Sequence, residues 1–316
     1  MGCSVSEPAR RRCGPERPGQ EPGNSAGARR LDAEQWIARA DEYAERAEKF
    51  VTPHLKRAQV GEAHPVWDFL FSYYSLRPGQ LRRWHPGYGV LLAGGEAIRR
   101  YGGRRGYTAD DAGVTVSETY LRSRRDTISF VARLLEATAS RPAQLACFGL
   151  HEWAMVYRAD PEQRRHSVPL RLGQDGTNAV VESMPLRCTH FDAFRFFTDV
   201  ARPRNAVQLS RADQIGVEQP GCVHAAMDLY KFAGKLLALV DSDLLMDAFE
   251  LAYEARELDM RASPYDLRAF GYEAIPVESS AGRAEYVRRQ AAIASQAAAI
   301  RASLQRRCEN LLAYAA

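Results

Sequence analysis

Apolar residues recur every three or four positions along much of this chain, which is the spacing of one face of an α-helix. The clearest series begins after Asp32 and runs from Trp36 to Val51. Because Asp is a preferred residue just before a helix, we expect this helix to begin there and to end near Pro53. Periodicity of this kind predicts a mainly α-helical fold.

The same spacing predicts seven further helices. They cover residues 66–77, 117–138, 149–158, 190–198, 222–240, 242–260 and 282–315. Strand patterns do not alternate with these helices, so the sequence does not predict a parallel sheet.

A strand pattern is confined to the middle of the chain. Residues 168–172 and 179–183 are largely apolar and flank a polar, glycine-containing segment that is typical of a hairpin connection. Residues 207–209 or 275–277 are candidates for an additional edge strand. The sequence therefore predicts one large helical domain over residues 31–316, with a β-hairpin insertion at about 168–184.

Residues 1–30 have a different composition, with five Gly, four Pro and few apolar side chains. Since so little of this segment could be buried, we expect a flexible leader. It lacks the apolar centre of a secretory signal, and no run in the chain reaches the ~18 apolar residues of a membrane helix. The six cysteines include no CxxC pair. We therefore expect a monomeric cytoplasmic protein without a membrane partner.

The net charge of +4 is unevenly distributed along the chain. Between Arg77 and Arg125, ten arginines stand against four carboxylates, a local net charge of +6. A basic surface on a nearly neutral protein is typical of a phosphate-binding face, although a solvated helix face is the simpler alternative. The candidate phosphate-binding residues are Arg82, Arg83, Arg104 and Arg105.

Three histidines lie close to carboxylates within predicted apolar helices. The pairs are His151 with Glu152, His190 with Asp192, and His224 with Asp228. Buried polar groups require partners, so the pairs predict either one shared polar site or three separate hydrogen-bonded networks.

A metal ion is one way to use a shared site. His151, His190, His224 and Asp228, completed by Glu254 or Glu257, would provide the nitrogen and oxygen ligands of an Fe or Zn centre between helices. The chain has no HExxH motif, so this remains an alternative to a site without a cofactor.

A site without a metal could instead cleave an N-glycosidic bond. A buried carboxylate would stabilise the positive charge that develops on the sugar, while aromatic faces would hold an extruded base. The candidate catalytic carboxylates are Glu152, Asp192 and Asp228. The candidate substrate-binding residues are Trp67, Tyr73, Trp84, His151, Trp153, Tyr157, His190 and His224.

Five segments support this second chemistry by resemblance. Residues 64–89, 148–158, 185–198, 219–231 and 256–267 resemble, in the same order, a group of actinobacterial proteins labelled 3-methyladenine DNA glycosylase. The resemblance covers about residues 31–305. It implies an enzyme that removes an alkylated purine from DNA, with DNA as its partner. The alternatives are a metal-dependent enzyme acting on a small molecule and a non-catalytic binding protein.

Overall fold

The computed structural model describes residues 28–160, 162 and 168–315. Most of the predicted leader lies outside these residues. Within them the chain is mainly α-helical, which confirms the predicted fold class. The helices are α1 (Ala33–Gln59), α2 (Phe69–Ser72), α3 (Pro78–Leu81), α4 (Gly95–Tyr101), α5 (Glu118–Ser123), α6 (Arg125–Ala139), α7 (Leu150–Ala154), α8 (Gly173–Ser183), α9 (Phe191–Phe194), α10 (Gln214–Val217), α11 (Val223–Lys235), α12 (Ser242–Arg261) and α13 (Ser280–Tyr314).

The main core lies where α11, α12, α13 and α6 pack on one another. Leu229 of α11, Phe249 of α12 and Ile293 of α13 are among its buried side chains. Ten of the 13 residues of α11 are buried, so this helix is enclosed on nearly all sides. Polar side chains on α11 therefore lie inside the protein. No helix in the described ranges combines the length and the apolar character needed to cross a membrane.

The predicted helices with long periodic patterns agree best with the structure. Asp32 caps α1 as predicted, and its carboxylate accepts a hydrogen bond from the backbone of Gln35. The helix nevertheless continues through Pro53 to Gln59. The predicted helices at 66–77, 149–158 and 190–198 are shorter than expected, because only α2, α7 and α9 form within them.

A four-stranded sheet lies beside the helices, in the order β1-β2-β4-β3. Its strands are β1 (Arg29–Leu31), β2 (Val90–Leu92), β3 (Tyr107–Asp110) and β4 (Gly113–Val116). Strands β1 and β2 are parallel, whereas β4 is antiparallel to both β2 and β3. Gly113 has a φ of 147°, and a Cβ at this position would overlap the Leu92 carbonyl oxygen. Glycine thus allows β4 to approach β2.

The prediction of a β-hairpin at residues 168–184 is wrong, because α8 occupies residues Gly173–Ser183. The side chains of Thr177, Val180 and Val181 are buried at helical spacing. A short β-branched apolar run fits either a strand or a buried helix face, and here the helix forms. The hairpin of this protein lies instead at β3 and β4, and neither 207–209 nor 275–277 forms a strand.

Candidate functional site

Three histidines from separate elements meet inside the protein. His151 lies on α7, His190 immediately precedes α9, and His224 lies in the first turn of α11. The rings of His151 and His224 are 4.5 Å apart between centroids and meet edge to face, whereas those of His190 and His224 are 5.3 Å apart and stacked. We call these histidines and their carboxylate partners the histidine centre.

The backbone before α7 fixes the position of His151. Phe148 and Gly149 have φ values of 50° and 73°, in the left-handed region. A Cβ at Gly149 would lie 3.3 Å from the Cβ of Ala262 and 3.4 Å from the ring of Tyr286. The left-handed pair therefore begins α7 in close contact with the end of α12 and with α13.

One group of metal-ligating side chains comprises His151, His224 and Asp259. Nε2 of His151 lies 2.7 Å from Oδ1 of Asp259, and Nε2 of His224 lies 4.0 Å from Oδ2 of the same carboxylate. One donor atom from each of the three residues lies within 4.8 Å of the other two. In the described part of the chain, His224 Nδ1 and Asp259 Oδ2 are buried without a hydrogen-bond partner. Nδ1 of His151 lies 3.4 Å from the sulfur of Cys147.

A second group comprises His190, Glu218 and Asp228. Nε2 of His190 lies 3.3 Å from Oδ2 of Asp228 and 3.5 Å from Oε1 of Glu218. Lys231 donates to the same Asp228 oxygen at 2.7 Å. This ammonium already occupies the space beside the carboxylate where a cation would bind.

The other two candidate catalytic carboxylates form ion pairs at the edge of the centre. Glu152 lies 2.9 Å from a guanidinium nitrogen of the buried Arg256. Asp192 accepts hydrogen bonds from Lys231 at 2.8 Å and from Arg211 at 2.5 Å. Arg211 is more than half exposed, so these contacts connect the buried centre to the surface.

Burial and neighbouring charges act differently on the three histidines. Burial lowers the pKa of His224, and the adjacent His151 lowers it further. Burial also lowers the pKa of His151, but the Asp259 carboxylate and Cys147 outweigh burial and raise this pKa well above its usual value. The pKa of His190 is likewise raised, because Glu218 and Asp228 outweigh burial.

The carboxylates differ from one another in the same way. Burial raises the pKa of Glu218 despite the nearby His190. Burial would also raise the pKa of Asp228, but Lys231 and His190 outweigh it and hold this pKa well below its usual value. Asp192 has a lowered pKa because its bonds to Arg211 and Lys231 outweigh burial.

A small cavity of about 10 Å³ adjoins the histidine centre, close to the volume that one water molecule requires. Its lining includes Tyr73, Glu152, Asp192, His224 and Arg256. Of the first group, His224 alone lines it, with a side chain that is 11% exposed. Two predicted catalytic carboxylates, Glu152 and Asp192, therefore line the same cavity as His224.

The remaining aromatic candidates lie elsewhere. Trp67 stacks on His64 beside a different cavity, and Trp84 is buried near Tyr101. Trp153 is fully buried and donates to the carbonyl of Ala262.

Tyr157 is also separate from the cavity. Its hydroxyl lies 2.8 Å from Glu182. Of the predicted stacking residues, only Tyr73 lines the cavity beside Glu152.

Three of the four predicted phosphate-binding arginines share a separate pocket of about 430 Å³. Arg83, Arg104 and Arg105 line it together with Arg124 and Lys235, and we call it the arginine pocket. Arg82 is not part of it, because its guanidinium pairs with Glu48.

The predicted histidine–carboxylate pairs differ from those in the structure. His151 pairs with Asp259 rather than Glu152, and His224 faces Asp259 rather than Asp228. His190 pairs with Asp228 and Glu218 rather than Asp192. Glu152 and Asp192 stand one and two positions from their predicted histidines, where side chains on a helix point in different directions. His224 and Asp228 share a helix face at i,i+4 spacing, but each faces a partner from another element, Asp259 and His190.

Sequence reasoning missed Asp259, Glu218, Lys231 and Arg256. It proposed Glu254 and Glu257 as ligands, but Gln296 donates to Glu254 and Arg261 pairs with Glu257. For two of these missed residues, the sequence of α12 contains a signal that could have identified them. Arg256 and Asp259 lie among the buried apolar positions of this helix, and a charged residue on such a stripe requires a buried partner.

The chain matches no protein-family model, no curated protein and no solved structure.

Proposed function

We propose that this chain is a metal-dependent enzyme acting on a small molecule, with a divalent metal ion bound by His151, His224 and Asp259. Two imidazoles and one carboxylate are ligands used by both zinc enzymes and non-haem Fe(II) enzymes. The main support is that Oδ2 of Asp259 is buried without a hydrogen bond among the described residues, 4.0 Å from Nε2 of His224 and close to a nitrogen of His151. Buried polar atoms of this kind require an explanation, and a bound ion provides one.

The first group fits a metal ion better than the second. Lys231 donates directly to Asp228, so a cation at His190, Glu218 and Asp228 would have to displace an ammonium group. No lysine contacts the first group, and among the described residues Arg256 approaches Oδ2 of Asp259 to 3.5 Å without a hydrogen bond to it. His190 and Asp228, which the sequence suggested as ligands, would then support the site through the stacking of His190 on His224.

The charges of the centre link metal binding to pH. The guanidinium of Arg211 forms an ion pair with the Asp192 carboxylate towards the surface. The other carboxylates of the centre are buried and belong to Glu152, Glu218, Asp228 and Asp259. Among the described residues Arg256 pairs with Glu152 and Asp259, and Lys231 pairs with Asp228. Imidazoles provide further contacts to these carboxylates, from His151 to Asp259 and from His190 to Asp228 and Glu218. Protons on His151 and His190, or one divalent ion, would balance them. Metal binding should therefore tighten as pH rises.

The small cavity defines what the protein could do with such an ion. A metal would supply Lewis acidity, and Glu152 lines the same cavity as His224. Glu152 is therefore the candidate general base, and Arg256 holds its carboxylate in place. A volume near that of one water molecule is enough for an activated water, and neither a purine base nor a smaller organic substrate fits in it without movement of the lining side chains.

Metal analysis tests this proposal directly. We expect protein purified without chelator to contain Zn or Fe, and the apoprotein to bind about one equivalent of Co²⁺ with visible absorption bands. His224→Asn should weaken Co²⁺ binding by more than ~100-fold, since even second-shell changes reduce metal affinity by 10–100-fold. His64→Asn is the matched control, because His64 lies beside a different cavity.

Two results would contradict the metal site. One is less than about a tenth of an equivalent of Zn, Fe or Mn together with no Co²⁺ binding. The other is equal Co²⁺ affinity in the wild type and in His224→Asn. If the protein is not a catalyst and the network is purely structural, His224→Asn should change the stability, and the metal content should be near zero with or without the substitution.

DNA glycosylase activity is a second candidate, supported by the resemblance and by the arginines gathered in one pocket. In that case Glu152 or Asp192 would provide the carboxylate. The assay is release of 3-methyladenine from alkylated DNA, with a known glycosylase as positive control. Release by the wild type and its loss in Glu152→Gln would favour this candidate over the metal enzyme.

A further inference from the structure

We propose that the arginine pocket binds a compact phosphorylated molecule, a phosphate monoester or a diphosphate, at a site separate from the histidine centre. The pocket has a volume of about 430 Å³, within the range typical of small-molecule sites. Five of its lining residues are basic and none is acidic.

The five basic residues come from different parts of the fold. Arg83 follows α3, while Arg104 and Arg105 lie between α4 and β3. Arg124 lies at the junction of α5 and α6, and Lys235 is the last residue of α11. A basic stripe on one helix would be an ordinary solvated surface, but here the tertiary fold brings the charges together.

These arginines lack the acidic partners that neighbouring arginines have. Arg99 and Arg100 both pair with Glu96, and Arg122 pairs with Glu118. In the described part of the chain, no salt bridge joins any of the five basic pocket residues to a carboxylate. The positive charge of the pocket is therefore available to an anion.

Burial of part of this charge makes the arrangement unfavourable without a ligand. Nε of Arg124 is buried without a hydrogen-bond partner, while its terminal nitrogen donates to the carbonyl of Lys235 at 2.7 Å. Burial and then the nearby Arg104 lower the pKa of Arg83. Burial and then Lys231 lower the pKa of Lys235. An anion bound among these basic side chains would form hydrogen bonds with the desolvated cations and would reduce the repulsion between them.

The concentration of positive charge around one pocket favours a small, highly charged anion over the DNA backbone. A phosphodiester carries one negative charge, and DNA spreads its charges along an extended surface. A phosphate monoester or diphosphate concentrates two or more charges in one place, which matches several guanidinium groups around one cavity. Tyr107 and Tyr120 also line the pocket and provide aromatic surface for an organic part.

Calorimetric titration with inorganic phosphate and pyrophosphate tests the proposal. Both titrations contain EDTA, so that no metal ion contributes, and a DNA duplex is titrated in parallel at 50 and 200 mM salt. We expect pyrophosphate to bind more tightly than phosphate, and Arg104→Gln/Arg105→Gln to weaken pyrophosphate binding by at least ~10-fold. Both side chains belong to exposed residues, so the variant should fold.

The matched control is Arg99→Gln/Arg100→Gln, which removes the same charge from α4 but outside the pocket. It should bind pyrophosphate as the wild type does. The proposal is overturned if the wild type does not bind pyrophosphate at millimolar concentration, if both double variants bind it equally, or if only DNA binding depends on Arg104 and Arg105. His224→Asn should leave pyrophosphate binding unchanged, which separates this test from that of the metal site.

Discussion

The histidine centre and the arginine pocket both include residues of α11, but they differ in how their charges are balanced. In the centre, acidic and basic side chains are buried together, as with Glu152 and Arg256. In the pocket, basic side chains face an open cavity without acidic partners among the described residues. Buried charges must be compensated within the protein, whereas charges at an open cavity can be left for a ligand. Side-chain substitutions should therefore affect stability in the first region and ligand binding in the second.

The largest expected effect is on the stability of the histidine centre. Asp259→Ala would leave His151 and Arg256 buried without their shared carboxylate. We expect the free energy of unfolding to fall by ~3–5 kcal/mol, as for other broken buried ion pairs. Denaturant unfolding measures this loss, and Asp247→Ala on the half-exposed face of the same helix should cost less than ~1 kcal/mol. Equal losses for both variants would show that a carboxylate of the histidine centre contributes no more to stability than one on the half-exposed face of the helix.

A bound metal ion should stabilise the same region. At a free ion concentration ~100 times the dissociation constant, a ligand that binds only the folded state adds about 2.7 kcal/mol to the free energy of unfolding. Thermal unfolding with and without Zn²⁺ measures this increase, and EDTA should reverse it. The increase should be absent in His224→Asn and present in His64→Asn.

Acid should destabilise the arginine pocket through His85, whose Nδ1 lies 2.7 Å from the Tyr107 hydroxyl. Burial, reinforced by Arg83 and Arg104, lowers the pKa of His85 to about 3. In the unfolded chain His85 has a pKa near 6.5, so below that pH the unfolded state takes up a proton that the folded state does not. Protonation of His85 in the unfolded state therefore lowers the free energy of unfolding as pH falls from about 6.5 towards 3.

This loss should reach about 2 kcal/mol at pH 5 relative to pH 7. Urea unfolding between pH 7.5 and 5 compares the wild type with His85→Gln, whose side chain does not titrate. When the pH is lowered to 5, the free energy of unfolding of the wild type should fall by about 2 kcal/mol more than that of the variant. Parallel pH profiles would mean that His85 does not remain neutral in the folded protein.

The smallest stability effect should come from the arginine pocket itself. Arg104→Gln/Arg105→Gln removes two exposed side chains without acidic partners in the described residues, so the free energy of unfolding should change by less than ~0.5 kcal/mol. Without ligand, the variant should unfold at the same urea concentration as the wild type. A loss comparable to that of Asp259→Ala would mean that these arginines support the fold rather than a ligand.

The parts of the fold that the sequence predicted are those with long, regular patterns. The apolar series after Asp32 and the patterns over α12 and α13 are long enough to identify helices. Strands β1 and β2 were missed because they have three residues each and pair with distant segments. Such pairing depends on tertiary contacts that no local pattern contains.

Prediction of the site was limited in the same way. The sequence indicated which histidines were unusual, because each lies in an apolar environment, and the structure brings them together. It could not indicate their partners, since His151 and Asp259 are 108 positions apart. The candidate phosphate-binding arginines were chosen from local charge density, which included Arg82 and missed the pocket residues Arg124 and Lys235.

A single rigid element joins the two regions compared above. His224 lies in the first turn of α11 and Lys235 at its last residue, about 16 Å apart along the axis. Because α11 is enclosed by other helices, it can move only by shifting as a unit against its neighbours. If occupation of one end displaces the helix, linkage requires each ligand to change the affinity for the other by the same factor. Measuring pyrophosphate affinity with and without Zn²⁺ would give that coupling free energy.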